Sequence, residues 1–153
     1  MSERKYNNSD LERDLLSLLD HSGINLERAF SEKPQAIFIP KDKDRSAFYV
    51  LVTLLFNQAS SKLSVVGPLV LRVASLMMET YPNYCAEGIE IMPSVFDGDR
   101  SRRIFRLSIS PTGLNFIKDF KLEDLLIDKP YDGVTCGWYL DKEKYTSNPT
   151  GQP

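Results

Sequence analysis

Few side chains in this sequence are suited to catalysis. His21 is the only histidine, and it falls in the last turn of a predicted helix, where it interacts favourably with the helix dipole without any catalytic role. Cys136 lies on the apolar face of a predicted strand. Cys85 lies between Tyr84 and Ala86, and this position gives no sign that its thiol is reactive. A nucleophilic thiol needs a nearby base or a helix N-terminus. We therefore interpret both cysteines as small, buried side chains with reduced thiols.

The known motifs for nucleotide binding and hydrolysis are missing from the sequence. It contains no Walker A segment, no Gly-x-Gly-x-x-Gly and no Gly-x-Ser-x-Gly. The stretch beginning at Asp97 starts like a calcium loop, but Arg102 replaces the sixth-position glycine and Ser108 the twelfth-position glutamate. The cysteines match no zinc spacing. We expect no catalytic residues, no cofactor and no metal, and a protein that is not an enzyme. The alternative is a small enzyme using His21, Asp97, Asp99 and Cys136.

One segment of the sequence has a clear excess of positive charge: the arginine-rich hairpin that follows the turn Asp97-Gly98-Asp99. Its arginines, with one aromatic residue among them, form the predicted binding surface: Arg100, Arg102, Arg103, Phe105 and Arg106. The guanidinium group of arginine binds phosphates and carboxylates through two parallel hydrogen bonds. On a regular strand Arg103 would share a side with Phe105, and Arg106 would share the outer side with Ser108. Three interpretations stay open: a solvated hairpin tip, a surface for an acidic protein, and a nucleic-acid interface.

Composition limits the classes of function. Lys and Arg number 19 against 21 Asp and Glu, a net charge of −2, which argues mildly against nucleic acid and anionic membranes as partners. The longest apolar run, Ala47 to Phe56, is far too short to span a membrane, and residues 1–10 are polar throughout. With two cysteines and no disulfide framework, we expect an intracellular, cytoplasmic protein without a transmembrane segment.

The first half of the chain predicts two helices and a hairpin. Ser9 and Glu12 fit a capping box for the first helix, and a second helix is predicted from Leu26 to Lys33. Strands are predicted from Gln35 to Pro40 and from Ala47 to Asn57. The second strand is apolar on both faces, which is typical of a central strand covered on both sides.

The second half predicts a buried helix, a second hairpin and a last strand. The helix is predicted to begin at Pro68 and to end at Tyr81. The hairpin extends from Ala86 to Ser110, and Pro93 makes its first arm either an edge strand or a bulged one. The remaining elements are a short helix over Lys121–Asp128 and a strand over Val134–Leu140.

These elements predict one α+β domain. Its antiparallel sheet is built from two hairpins and a C-terminal strand, packed with one buried central helix and the N-terminal helices, instead of βαβ winding. The domain is expected to cover residues 9–140, between flexible tails at 1–8 and 141–153.

The layout from Ala47 to Ser110, a long apolar strand, a polar loop and a buried helix followed by strands, resembles the core of rhabdovirus matrix proteins. The resemblance implies a self-assembling structural protein that binds membranes. This chain departs from the family pattern in its net negative charge, and it has neither a basic N-terminal stretch nor a Pro-Pro-x-Tyr motif.

The sequence therefore favours a non-catalytic protein that works by protein–protein contact. The roles that fit are a self-assembling matrix-type protein, an adaptor and an immunity-type antagonist, with another protein or a second copy as partner. A nucleic-acid-associated factor using the Arg100–Arg106 hairpin is an alternative. An uncovered apolar face of the sheet would mark the interface.

Overall fold

The computed structural model describes residues 6–57, 62–97 and 99–142, apart from the side chain of Asp97. Most of both predicted tails, and Gly98 of the predicted turn, lie outside the described residues. The helices and strands are α1 (Asn8–His21), α2 (Leu26–Ala29), β1 (Gln35–Pro40), β2 (Phe48–Asn57), α3 (Leu63–Thr80), β3 (Ile89–Asp97), β4 (Arg100–Arg103), β5 (Phe105–Ile109) and β6 (Val134–Trp138). Three short 3-10 helices join β5 to β6: Gly113–Asn115, Ile117–Asp119 and Leu122–Leu126.

The six strands form one mostly antiparallel sheet in the order β1-β2-β3-β5-β6, with β4 also paired to β3. The predicted α+β class is therefore confirmed. One pair departs from the predicted hairpin pattern, because β2 and β3 run parallel with Val50 opposite Ile89. A parallel pair needs a crossover connection, and α3 supplies it. The domain thus contains a single βαβ unit inside an otherwise antiparallel sheet.

The N-terminal helix begins earlier than predicted. Its N-cap is Asn7, whose side-chain oxygen accepts a hydrogen bond from the backbone N–H of Asp10 at 2.9 Å, so the predicted cap at Ser9 is wrong. The ring of Tyr6 lies 5.4 Å from that of Phe38. The folded domain therefore includes residues 6–8, which the sequence had assigned to a tail. The buried face of the helix consists of Leu11, Leu15 and Leu19.

Helix α3 begins at Leu63, five residues before the predicted start at Pro68. Pro68 therefore lies inside the helix, where it has no N–H to donate to the carbonyl of Ser64. Gly67 is buried, and a β-carbon there would collide with Leu122 of the last 3-10 helix. By length and composition alone α3 is apolar enough to cross a membrane. Its buried residues are Val66, Gly67, Val70, Val73, Ala74 and Met77, as in the core helix of a globular domain.

Pro93 lies in an interior strand, because β3 is flanked by β2 on one side and by β4 and β5 on the other. The register changes by one residue beside it: Ser94 is opposite Arg103, whereas Ile91 is opposite Leu107. The backbone N–H of Ile104 donates to the Pro93 carbonyl at 2.9 Å. Of the two predicted alternatives the structure has the bulge, and it lies in the opposing strand.

The C-terminal part closes the core at the far edge of the sheet. The helix predicted over Lys121–Asp128 is a 3-10 helix over Leu122–Leu126, and the last strand ends at Trp138 instead of Leu140. The indole N–H of Trp138 donates to the Leu125 carbonyl at 2.9 Å. This bond ties the 3-10 segment to β6 and completes the helical layer on one side of the sheet.

Candidate interaction surface

Strand β2 has one deeply buried side and one side that is only partly covered. The buried side consists of Phe48, Val50, Val52, Leu54 and Phe56 and packs in the core together with residues of α1 and α3. On the other side Tyr49, Leu51, Thr53 and Leu55 are each half-buried. No described helix packs on that second side, which we call the open face. The sequence had predicted that β2 is covered on both sides, and within the described residues only one side is.

The apolar part of the open face extends from β2 onto the edge strand β1. Ile37 is opposite Leu51 and Ile39 is opposite Tyr49, so these side chains point to the same side of the sheet. Ile37 is 41% exposed although it is a large aliphatic residue. We define the apolar stripe as five residues: Ile37, Ile39, Tyr49, Leu51 and Leu55.

A half-buried ion pair borders the apolar stripe. The guanidinium Nε of Arg106 lies 3.4 Å from Oε1 of Glu90, and the Ser108 hydroxyl donates to the other oxygen of Glu90 at 3.3 Å. Burial raises the pKa of the neighbouring Tyr49, the Glu90 carboxylate raises it further, and Arg106 partly lowers it. Tyr49 is therefore a neutral phenol at physiological pH. Because Arg106 is neutralised by Glu90, it adds little net charge to the open face.

A shallow cleft of about 460 Å³ lies at the end of the open face nearest Tyr49. Its walls include Glu90 and Ser108 of the ion-pair cluster and a second pair, Lys41 and Glu87, whose charged atoms are 3.3 Å apart. Each carboxylate thus already faces a cation. The cleft presents balanced polar groups and no unpaired charge that would select an ionic ligand.

The arginine hairpin does not form one continuous surface. Arg103 is opposite Ser94, so the bulge places it on the open face with Arg106, not on the side of Phe105 as a regular strand would. Its guanidinium carbon lies 5.7 Å from the ring centroid of Tyr139. Arg102 is opposite Val95, whose buried side chain belongs to the core, so Arg102 points to the helix side of the sheet.

Phe105 is not part of any surface, which corrects the predicted binding site. Its exposed fraction is 0%, and its ring centroid lies 4.9 Å from that of Trp138. The extra residue of the bulge, Ile104, is also fully buried, so both enter the core in succession. The sequence contained the cause of this change, Pro93, but not the strand in which the bulge would occur.

Three of the residues considered for chemistry, Cys85, Cys136 and His21, have contacts that the structure describes, whereas the side chain of Asp97 lies outside the described residues. Burial raises the pKa of the Cys85 and Cys136 thiols to about 12, so neither is a thiolate at neutral pH. The Nδ1 atom of His21 lies 2.7 Å from the Ser17 carbonyl oxygen, a contact within its own helix. Among the described residues no group of three histidine, cysteine, aspartate or glutamate side chains could hold a metal ion.

The β1 edge is poorly suited to pairing with another strand. The outward N–H of Phe38 is already bonded to the Asn8 side-chain oxygen at 2.8 Å. Pro34 precedes the strand and Pro40 ends it, and proline has no N–H to donate. A partner at this side of the molecule would therefore meet side chains of the open face instead of free backbone groups.

Comparisons with protein-family models, curated proteins and solved structures find no match to this chain. The surface itself is therefore the basis for any functional assignment. The sequence showed that β2 is apolar on both faces, but it predicted that both were covered, so it did not locate this surface.

Proposed function

We propose that this protein acts by binding another protein through the apolar stripe on the open face of its sheet. The observation that carries the proposal is the cross-strand pair Ile37 and Leu51, in which Ile37 is 41% exposed. This pair adjoins a second apolar cross-strand pair, Ile39 and Tyr49, on the same face. Monomeric proteins rarely expose extended apolar patches unless they bind something. Removing such side chains from water contributes roughly 25 cal/mol per Å² of apolar area buried.

The composition around the stripe supports a protein partner over a nucleic acid. The bulge divides the hairpin arginines between the two sides of the sheet, and Arg106 is paired with Glu90. Arg103 is then the one remaining hairpin arginine on the open face, which is a small basic footprint for a phosphate backbone. An apolar centre with a balanced polar border is the usual composition of a protein–protein interface. An adaptor and an antagonist both fit such a surface.

The test compares two glutamate substitutions at exposed aliphatic residues. Ile37→Glu places a charge in the apolar stripe, and Val65→Glu places one on α3, where the valine is 46% exposed. Both variants should fold, since neither removes a core side chain. We expect proteins captured from native cells by the wild type and by Val65→Glu to be reduced at least tenfold with Ile37→Glu. Equal capture by all three proteins would rule out the stripe as the interface.

A further inference from the structure

A groove at one end of the molecule combines an apolar floor with an acidic rim. It lies between the end of α1 and α2 and has a volume of about 840 Å³. The floor includes Ile24 and Phe30, which are almost fully buried. Its charged lining residues are Asp20, Glu27, Glu32 and Lys33, three carboxylates against one ammonium group. The three carboxylates make no ion pair within the described residues, so the lining side chains carry a net negative charge, and Arg72 lies beside them with its guanidinium donating to the Ser22 carbonyl at 2.6 Å.

The hairpin formed by β3 and β4 has the opposite charge. Arg100, Arg102 and Arg103 are exposed, and in the sequence these three arginines outnumber the turn residues Asp97 and Asp99 by one charge. Arg100 is opposite Asp97 and Arg102 is opposite Val95. Because Val95 points into the core, Arg100 and Arg102 lie on the helix side of the sheet, the same side as the groove.

The groove and the hairpin lie at the same end of the sheet. The backbone N–H of Ser31 in the groove donates to the Leu55 carbonyl at 2.7 Å, and the ring centroid of Phe30 is 5.3 Å from that of Phe56. Phe96, at the start of the hairpin tip, is opposite Asn57. Both features are therefore beside the last residues of β2. A surface that contains both halves of a complementary pair can bind a second copy of itself.

We propose that two copies of this chain associate end to end, with the arginine hairpin of each seated at the acidic groove of the other. A two-fold axis perpendicular to the sheet generates this arrangement. It keeps both helical layers on the same side and exchanges the hairpin and groove positions, so Arg100 and Arg102 of one copy meet Asp20 and Glu27 of its partner copy. This association goes beyond the proposed function, since it uses none of the residues of the apolar stripe.

The charge balance of the contact sets its strength. Counted from the sequence, Asp97 and Asp99 offset two of the three arginine charges of β4, and Lys33 offsets one of the three carboxylate charges that line the groove. Exposed ion pairs contribute little individually and are screened by salt. The expected product is a dimer that forms as concentration rises, and that dissociates when salt is raised from about 50 mM to about 500 mM.

Charge reversal on each side, followed by mixing, tests the contact. Arg100→Glu/Arg102→Glu reverses the hairpin, and Asp20→Lys/Glu27→Lys reverses the groove. The control, Lys43→Glu/Lys118→Glu, changes exposed charges outside both features. Molar mass is measured by sedimentation across concentration, with unfolding curves to establish that every variant is folded. Each reversal alone should weaken the dimer at least tenfold, the control should not, and an equimolar mixture of the two reversals should restore it.

The mixture distinguishes this contact from general damage to the protein. In a mixed dimer both contacts again join opposite charges, whereas two misfolded variants would not restore association. A wild type that stays at the monomer mass of 17.4 kDa at low salt would overturn the proposal. So would a dimer that neither reversal weakens, or two reversed variants that fail to associate when mixed.

Discussion

At the residue scale, ionisation of the Cys85 and Cys136 thiols affects the stability of the domain. Both are almost fully buried, and burial raises the pKa of each thiol to about 12, above its ordinary value of 9.0. In the unfolded chain the same thiols ionise near their ordinary pKa. As pH rises above 9, the unfolded state therefore loses protons that the folded state retains, and folding stability falls.

This difference predicts an alkaline loss of stability that depends on the cysteines. Between pH 8 and pH 10 each thiol should lower the free energy of unfolding by about 1.4 kcal/mol. Urea unfolding of the wild type at the two pH values should therefore show a loss about 3 kcal/mol larger than in the Cys85→Ala/Cys136→Ala variant. That variant carries every other titrating group, so it is the control. Equal losses in the two proteins would mean that the thiols are not shielded in the folded state.

At the scale of elements, hydrophobic periodicity predicted where strands lie but not how they pair. The predicted range of β1 matches the observed strand, and β2 begins one residue after its predicted start. The parallel pairing of β2 with β3 was not predicted, although the predicted order of strand, buried helix and strand allowed such a crossover, because we interpreted the hairpin signals as a wholly antiparallel sheet. Pro93 predicted a bulge in its own arm, but the bulge lies at Ile104 in the opposing strand, and it decided the sides on which Arg103 and Phe105 lie.

The start of α3 shows a second limit of sequence patterns. Gly67 and Pro68 favour a helix that begins at the proline, yet the helix has a further turn before it. The apolar side chains of that turn pack in the core: Val66 is buried, and Leu63 packs against the core. Tertiary burial thus outweighs the hydrogen bond that Pro68 cannot donate.

Replacing this proline should stabilise the helix. Pro68 is exposed, and Pro68→Ala restores an N–H that can donate to the Ser64 carbonyl. The gain is reduced because alanine gives the unfolded chain more freedom, so we expect about 1–2 kcal/mol of added stability by urea unfolding. Pro82→Ala, beyond the end of the helix, is the matched control and should bring no gain. A loss of stability in Pro68→Ala would mean that the proline is needed to seat Leu122 beside Gly67.

At the scale of the whole molecule, a small net charge conceals an uneven distribution. The overall value is −2, yet the groove has a negative rim and the hairpin a positive tip. The composition gives the small net charge directly, and the clustered arginines predicted the basic hairpin tip. Neither predicted the acidic groove, because its lining comes from one stretch, residues 20–33, and the sequence does not show which of those side chains surround a cavity. The fold brings these residues together.

The two proposed surfaces lie on different parts of the domain, and this separation is itself testable. Ile37→Glu alters the open face and should leave the salt-sensitive dimer intact, because Ile37 does not line the groove. Arg100→Glu/Arg102→Glu should weaken the dimer at least tenfold but retain capture of the protein partner, since both arginines lie on the helix side of the sheet. Sedimentation and capture measured on the same preparations decide the outcome. If either variant lost both activities while its unfolding curve stayed unchanged, dimer formation and partner binding would be coupled, and a second copy on the open face would become the simpler arrangement.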